Sequence, residues 1–347
     1  MKQSLLGGLT PREFLRRHWQ KRPLYVRGAA PRFTGVLDER QLLALAKRDD
    51  VESRIVQRKG RRRDTVHGPF SAVTPRKRGW TLLVSGVNLH NGKADALLRR
   101  FSFIPQARLD DVMVSYATPG GGVGPHVDSY DVFLLQGAGR RRWTVWDPKR
   151  IPYRYIAGPG DLLYLPPGWR HDGVALEACF TYSIGFRAPR GAELGAAFLD
   201  WLHERGLPDA RYRDPRLAPA RNPASIPGEM VAFADAALAR IRWTRGDVAS
   251  FLGGYLSMPK PHLVFRPRAG RRLGAGMVRL DLKTQLLYTG RRFFINGEAF
   301  TVSERAAAVL RRLADQRVAR GADVARVRLG RLISGWQRRG YASVEKR

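Results

Sequence analysis

Between Val112 and Phe186 the chain is cut into short runs of β-branched and aromatic residues, each bounded by glycine, proline or charge. The runs Val112 to Ala117, Asp131 to Gln136, Arg142 to Trp146, Leu162 to Leu165 and Phe180 to Phe186 are short enough for strands and too short for core helices. The stretches between them are cut by glycine and proline turns, which argues for a sandwich or barrel rather than for βαβ units. Pro159-Gly160-Asp161 and Pro166-Pro167-Gly168 read as turns on either side of one buried strand. The pattern predicts a closed or sandwiched antiparallel architecture of the double-sheet jelly-roll type.

Inside this region lies His126-Val127-Asp128, and further along His171 ends the stretch PGDLLYLPPGWRH. Residues i and i+2 of a strand share a face, so His126 and Asp128 can bind one ion together. His171, on a strand expected across the barrel, supplies a third ligand. Two histidines and one carboxylate with open positions form the facial triad suited to non-haem Fe(II) oxygen chemistry. Of the seven histidines only His126 has an acidic residue two positions on. It also follows the run Pro119 to Pro125, whose glycines allow close backbone approach just before a strand.

Several segments resemble one family. SYATPGGGVGPHVDSYDVFLLQGAGRRRW from Ser115, EFLRRHWQKRPLYVRG from Glu13, HGPF ending at Phe70 and YSIGFRAP from Tyr182 are similar to the JmjC-type 2-oxoglutarate oxygenases. Within them the resemblance is to the bacterial ribosomal oxygenases that hydroxylate an arginine of a large-subunit ribosomal protein. It covers about residues 10 to 205 well and the rest loosely. The resemblance implies an α+β fold: a double-stranded β-helix (cupin, JmjC) barrel, a helical dimerisation region and a C-terminal winged-helix-like domain. It implies His126, Asp128 and His171 as iron ligands, Arg141 as the partner of the distal 2-oxoglutarate carboxylate, and Ser115 as a second contact to that co-substrate. Fe(II) with three protein ligands keeps room for the 2-oxo acid and for dioxygen. Strand periodicity puts Arg141 on the face of Trp143 and puts Arg140 and Arg142 on the other; the resemblance selects Arg141.

The remaining candidates read as packing or surface. His18 sits in a helix opened by Thr10-Pro11-Arg12-Glu13, a capping box with proline at its first position. His67, His90, His203 and His262 lack a ligand-spaced partner, and Cys179 is a lone thiol in an apolar strand. Tyr130 and Asp131 either line a substrate entrance or serve packing and hydrogen bonding.

The division expected is 1–205 for the catalytic domain, 206–270 for the helical region and 271–347 for the winged-helix-like domain. Helices are expected over Ala192 to Arg205, Gly228 to Trp243, Asp247 to Leu256, Ser303 to Asp315 and Val324 to Arg338. Linkers are expected over Pro208 to Pro227 and Pro259 to Gly276. Strands are expected over Met277 to Leu282, Gln285 to Tyr288 and Arg292 to Ile295, followed by a hairpin turn at Asn296-Gly297.

At 347 residues and 44% hydrophobic composition the chain can bury proper cores. One cysteine excludes an internal disulfide, no run approaches a membrane span, and the N-terminal apolar stretch is too short for a signal peptide. Together they point to a cytoplasmic protein. The formal charge of +32 suits a polyanionic neighbour such as ribosomal RNA. A genome rich in arginine, alanine, glycine and proline codons accounts for it equally. Basic runs at Arg58 to Arg63, Arg76 to Arg78, Arg266 to Arg272 and Arg338-Arg339 read as scattered. The reaction expected is hydroxylation of a protein arginine with release of succinate and CO2. The alternatives are a histidyl hydroxylase, a lysine demethylase, or a non-catalytic cupin sensor with a DNA-binding tail.

Overall fold

The computed structural model describes residues 5–345 apart from 61, 269, 271, 272 and 275. The basic runs at 58–63 and 266–272 and the 259–276 linker therefore lie partly outside the described residues.

Two antiparallel sheets build the barrel. The larger runs β1 (Leu24–Val26), β10 (Leu162–Leu165), β7 (Val132–Gln136), β12 (Cys179–Phe186), β5 (Leu109–Ala117), β4 (Trp80–Val84), β2 (Ser53–Lys59) and β3 (Arg62–His67). The smaller runs β6 (His126–Val127), β11 (Arg170–Ala175), β8 (Arg141–Trp146) and β9 (Pro152–Ala157). Helices α1 (Pro11–Arg17), α2 (Glu39–Leu45) and α3 (Gly92–Arg99) belong to the same N-terminal half. Thr10 closes the expected capping box on α1, its hydroxyl taking the Glu13 amide while Glu13 returns to the Thr10 amide. Phe14 on α1 is fully buried and meets Phe133 and Tyr164 edge-on or tilted.

Strand β7 shows why its sequence reads as an unbroken apolar run. Phe133 and Leu135 join the core that includes α1, α2 and α3, while Val132 and Leu134 join Trp143 and Val145 in a second cluster. Both faces are covered, so alternation disappears. Strand β8, covered on one face, alternates cleanly: Arg141, Trp143 and Val145 are buried, Arg142 is exposed.

The helical stretch that follows contains α4 (Gly191–Glu204), α5 (Gly228–Leu238) and α6 (Arg245–Ser257). The expected helix over Gly228 to Trp243 stops early, because the chain must turn into α6, whose N-terminus Thr244 caps through the Asp247 amide. The C-terminal module holds β13 (Met277–Leu280), β14 (Leu286–Thr289), β15 (Arg292–Ile295), β16 (Glu298–Thr301), β17 (Val318–Arg320) and β18 (Ala342–Glu345). With them pack α7 (Glu304–Gln316), α8 (Gly321–Arg326) and α9 (Gly330–Arg339). The Asn296-Gly297 hairpin turn forms as expected, with both residues at positive φ between the paired Ile295 and Glu298. The single helix expected over Val324 to Arg338 is instead α8 and α9, broken where Arg328 adopts a left-handed conformation (φ 59°). Among the described residues no helix is long and apolar enough to cross a membrane.

Candidate metal centre and co-substrate cavity

His126 and His171 are cross-strand partners: β6 and β11 are adjacent, with His126 opposite His171 and Val127 opposite Arg170. The third candidate ligand thus comes from the neighbouring strand of the same sheet, not from across the barrel. The reason is that β6 is only two residues long and lies on the edge of the smaller sheet, which the sequence pattern does not disclose. Donor atoms of His126, Asp128 and His171 all lie within 4.8 Å of one another. The Asp128 carboxylate is 3.8 Å from His126 Nε2 and 3.6 Å from His171 Nε2.

Backbone carbonyls set the imidazole orientation. His126 Nδ1 lies 2.8 Å from the Gly124 carbonyl and His171 Nδ1 2.9 Å from the Trp169 carbonyl. Donation from both Nδ1 atoms leaves the Nε2 lone pairs free for a cation, which is how second-layer contacts orient metal-binding histidines. Burial pulls His171 below the usual imidazole range, against the opposing pulls of the Trp169 carbonyl and Asp128. The Gly168 amide donates to the Asp128 carbonyl at 2.9 Å and ties the turn before β11 to the end of β6. The glycine run before His126 has a steric cause. A Cβ on Gly122, at φ +158°, would meet the Gly173 carbonyl oxygen at 2.2 Å. Neutral imidazoles, a carboxylate and open space beside them fit a divalent first-row cation such as Fe(II).

That open space is a cavity of about 480 Å³ between the sheets. Its floor is cationic. Arg141 is only 5% exposed, its guanidinium lies 5.6 Å from the Trp143 ring centre, and its Nε and Nη2 have no protein partner. Thr81 Oγ1 is likewise buried and unpartnered. Ser115 is paired by register with Leu83 on one side and Thr181 on the other, and all three line the cavity with Arg141. A buried guanidinium without a partner carries a large desolvation cost. A ligand carboxylate relieves it, and the planar fork fits that group. Arg140 and Arg142 are both exposed, and Arg140 pairs with Glu177 at 3.2 Å.

The opposite end is acidic. Alternate residues of β5, Ser115, Met113 and Asp111, point into the cavity, so Asp111 sits four residues from Ser115, on the order of 13 Å away. Asp110 and Glu52 line the same end. Lys260 lies 3.5 Å from Asp111 and 3.8 Å from Asp110, and Arg187 lies 3.5 Å from Asp110. Burial pushes the Asp111 carboxyl up, against the pull of Lys260. Tyr130 also lines the cavity, its phenol pushed up to about 12 by burial and then by Asp128. Asp131, weighed alongside it as an entrance residue, is fully buried and receives Tyr164, Gln20 and Arg108 as donors. It is a structural anchor.

Thr81, Thr181, Asp110, Asp111 and Lys260 escape sequence reading because β4 and the approach of residue 260 to β5 are tertiary events. The alternation of Asp111, Met113 and Ser115 along one strand is the signal that could have found Asp111.

Residues 96–155 and 154–194 match the JmjC domain family, and residues 240–328 match the ROXA-like winged helix. The chain is 40% identical over 237 residues to the ribosomal protein uL16 3-hydroxylase of Escherichia coli (strain K12), covering 63% of this chain and 64% of that protein. It is 36% identical over 210 residues to a protein of Haemophilus influenzae named "Probable ribosomal oxygenase", covering 54% and 52%. These sequence alignments therefore span between half and two thirds of the curated relatives' length. The solved structure of YcfD, a ribosomal oxygenase from Escherichia coli, superposes with TM-score 0.81 at 32% identity over 97% of this chain and 98% of that one. A structure of the same protein in complex with cobalt and 2-oxoglutarate gives TM-score 0.81 at 31% identity. With that coverage and identity, the chain belongs to the JmjC-type ribosomal oxygenase family.

Proposed function

We propose that this protein is a 2-oxoglutarate- and Fe(II)-dependent hydroxylase acting on an arginine side chain of a large-subunit ribosomal protein. The observation that carries the reading is Arg141, buried and unpaired on the floor of the cavity whose wall presents His126, Asp128 and His171. Fe(II) held by the three ligands supplies the redox chemistry that couples oxidative decarboxylation of 2-oxoglutarate to hydroxylation of a C–H bond. One 2-oxoglutarate, one dioxygen and one target C–H become succinate, CO2 and a hydroxylated target.

The chain's own groups do the positioning. Arg141, with Ser115, Thr181 and Thr81 around it, holds the distal carboxylate and so aims the 2-oxo end at the triad. Asp110, Asp111 and Glu52 at the far end favour a cationic target, and a guanidinium fork can bridge neighbouring carboxylates. Asp110 and Asp111 already share Lys260 and Arg187, so three carboxylates face two cations there, and a neutral histidine target would leave that acidic excess uncompensated. Tyr130, kept neutral, can donate or pack at the entrance.

The names of the two sequence relatives, which act on or are assigned to ribosomal proteins, support the same substrate class. A protein acting there works in the cytoplasm, close to ribosomal RNA. The apolar side chains left exposed around the connector helices, Leu199, Val231, Leu238 and Trp243 among them, support a homodimer formed through this region. The division 1–205, 206–270 and 271–347 draws support from the separate clusters of the barrel and of the C-terminal module, while α4 packs on α6 and α6 leans onto β14 and β15.

The test is incubation with Fe(II), 2-oxoglutarate and arginine-containing peptides from large-subunit ribosomal proteins, reading succinate release and the mass gain of one oxygen by mass spectrometry. Binding of 2-oxoglutarate without succinate, on every peptide and on intact ribosomal protein, would make the site a sensor and defeat the proposal.

A further inference from the structure

The basic runs that read as scattered along the sequence are gathered in pairs by the fold. Residues 266–268 approach the end of α9, where the Arg268 amide donates to the Gln337 carbonyl at 3.0 Å. This pair is neutralised in part: Arg268 meets Asp281 at 3.1 Å and Arg339 meets Glu298 at 2.5 Å. The other pair is not. At the end of the β2–β3 hairpin the register sets Arg58 opposite Arg63 and Lys59 opposite Arg62. The segment 76–78 joins them, because the Arg58 amide donates to the Gly79 carbonyl at 2.7 Å. The Gln57 carboxamide, turned so that its oxygen accepts, takes Arg76 Nε at 2.9 Å. Arg58, Arg62, Arg63, Arg76, Lys77 and Arg78 are all exposed. Among the described residues none of them has a carboxylate within ion-pair distance.

Like charges directly opposite each other on paired strands, as Arg58 and Arg63 are, destabilise a hairpin. The patch is also close to the chemistry. Arg63 lines the cavity, and its guanidinium lies so near Gly124, two residues before His126, that a Cβ there would sit 2.6 Å from Arg63 Cζ. The cavity therefore has an acidic end for a cationic side chain and, beside it, a rim of unpaired cations. Such a rim repels a free basic protein but attracts one whose surroundings are phosphate.

We infer that the end of the β2–β3 hairpin, with residues 76–78, binds the phosphate backbone of RNA lying beside the protein target. The inference rests on the ribosomal-protein reading of the cavity for its choice of RNA over an acidic protein. Guanidinium forks match phosphate oxygens and need no base sequence, so the contact adds affinity and orientation without sequence preference.

The test uses the full chain. Binding of fluorescein-labelled structured RNA is titrated from low to physiological salt for the wild type and for the triple variant Arg62→Ala, Lys77→Ala, Arg78→Ala. These side chains are exposed and outside the cavity, so peptide hydroxylation is expected to stay at the wild-type rate. Affinity for RNA at physiological salt should fall at least tenfold, and the slope of log affinity against log salt should flatten by about 2, as fewer counterions are released. The charge-retaining variant with lysine at positions 62 and 78 should recover most of the affinity. Unchanged affinity and slope in the triple variant would overturn the inference. So would displacement of RNA by poly-glutamate at equal charge concentration, since the surface would then be one for acidic protein. Patch-dependent RNA binding by a wild type that hydroxylates no ribosomal peptide would uphold the surface and remove the substrate reading instead.

Discussion

The barrel and the connector that follows it spend apolar residues in opposite ways. Every residue of β7 and β10 is buried, and Phe14, Phe133 and Tyr164 interlock at ring-centre distances near 5 Å. In α5 no residue is buried, and α4 buries only Leu202. Yet the connector is not polar. Phe198, Trp201, Trp243 and Phe251 cluster against one another, while Leu199 and Leu238 remain about two thirds exposed. The barrel completes itself within one chain, so it can hold reacting groups to a fraction of an ångström. The connector leaves apolar surface open to solvent, and that is the surface the proposed homodimer would cover.

The largest effect should come from the barrel's least replaceable feature. His126→Ala, Asp128→Ala or His171→Ala should abolish succinate release at saturating Fe(II) while leaving thermal unfolding nearly unchanged, because the triad lies at the cavity rather than in the apolar core. Full turnover by any of the three would detach the chemistry from this site.

Arg141→Ala comes next. Loss of a charged partner for a carboxylate is worth about 1.5–3 kcal/mol, so the KM for 2-oxoglutarate should rise roughly ten- to a hundredfold. Arg140→Ala, just before β8, and Arg142→Ala, on its solvent face, should change it by less than about twofold, since both are exposed. Equal sensitivity at Arg142 would mean that burial of Arg141 is not what binds the co-substrate.

Much of this barrel can be read from the sequence, and the omissions have physical causes. The strands bounded by glycine and proline, Leu162–Leu165 above all, need no tertiary information. Strands β2, β3, β9 and β11 carry arginine or aspartate at positions off the core, which breaks the apolar run. Strand β6 is too short to have a period, and the buried β4 lacks flanking proline-glycine turns of the kind that frame β10. The triad is legible because i and i+2 geometry is local. The adjacency of His171 to His126 is not, since it depends on which strands pair. The hairpin of cations and the acidic end of the cavity also arise only from pairing.

Truncation of apolar side chains puts the two regions on one scale. Leu135→Ala, at a fully buried position, should cost about 2–5 kcal/mol in chemical unfolding. Leu199→Ala, largely exposed, should cost a monomer no more than about 0.5 kcal/mol. Leu199→Glu together with Leu238→Glu should instead shift light scattering at micromolar concentration from dimer to monomer. A wild type that is already monomeric would leave the connector's apolar surface without the role assigned to it.

The smallest effect comes from the seam where the C-terminal module meets the N-terminal half directly. His90, half-buried after α3's preceding turn, lies with Arg48 and Asp50 of the N-terminal half and with Lys283 of the C-terminal module. Lys283 reaches Asp50 at 3.4 Å and the Val264 carbonyl at 2.7 Å. Burial, then Arg48, pulls the His90 pKa down to about 4 from an ordinary 6.5. A base with a depressed folded-state pKa contributes stability that is fully present above 6.5 and is lost as pH falls towards 4, because only the unfolded chain takes up the proton in that window. With solvent screening of a half-buried group, the loss from pH 7 to pH 5 is about 1 kcal/mol, or about 2 °C in Tm for a chain of this size. His90→Gln should remove that part of the acid sensitivity, so its Tm should fall less than that of the wild type between the two pH values. If both fall in parallel, the seam around Asp50 and Lys283 does not feel this proton, and the module's attachment rests on the connector and on Arg317, which reaches Asp95 of α3 at 3.8 Å.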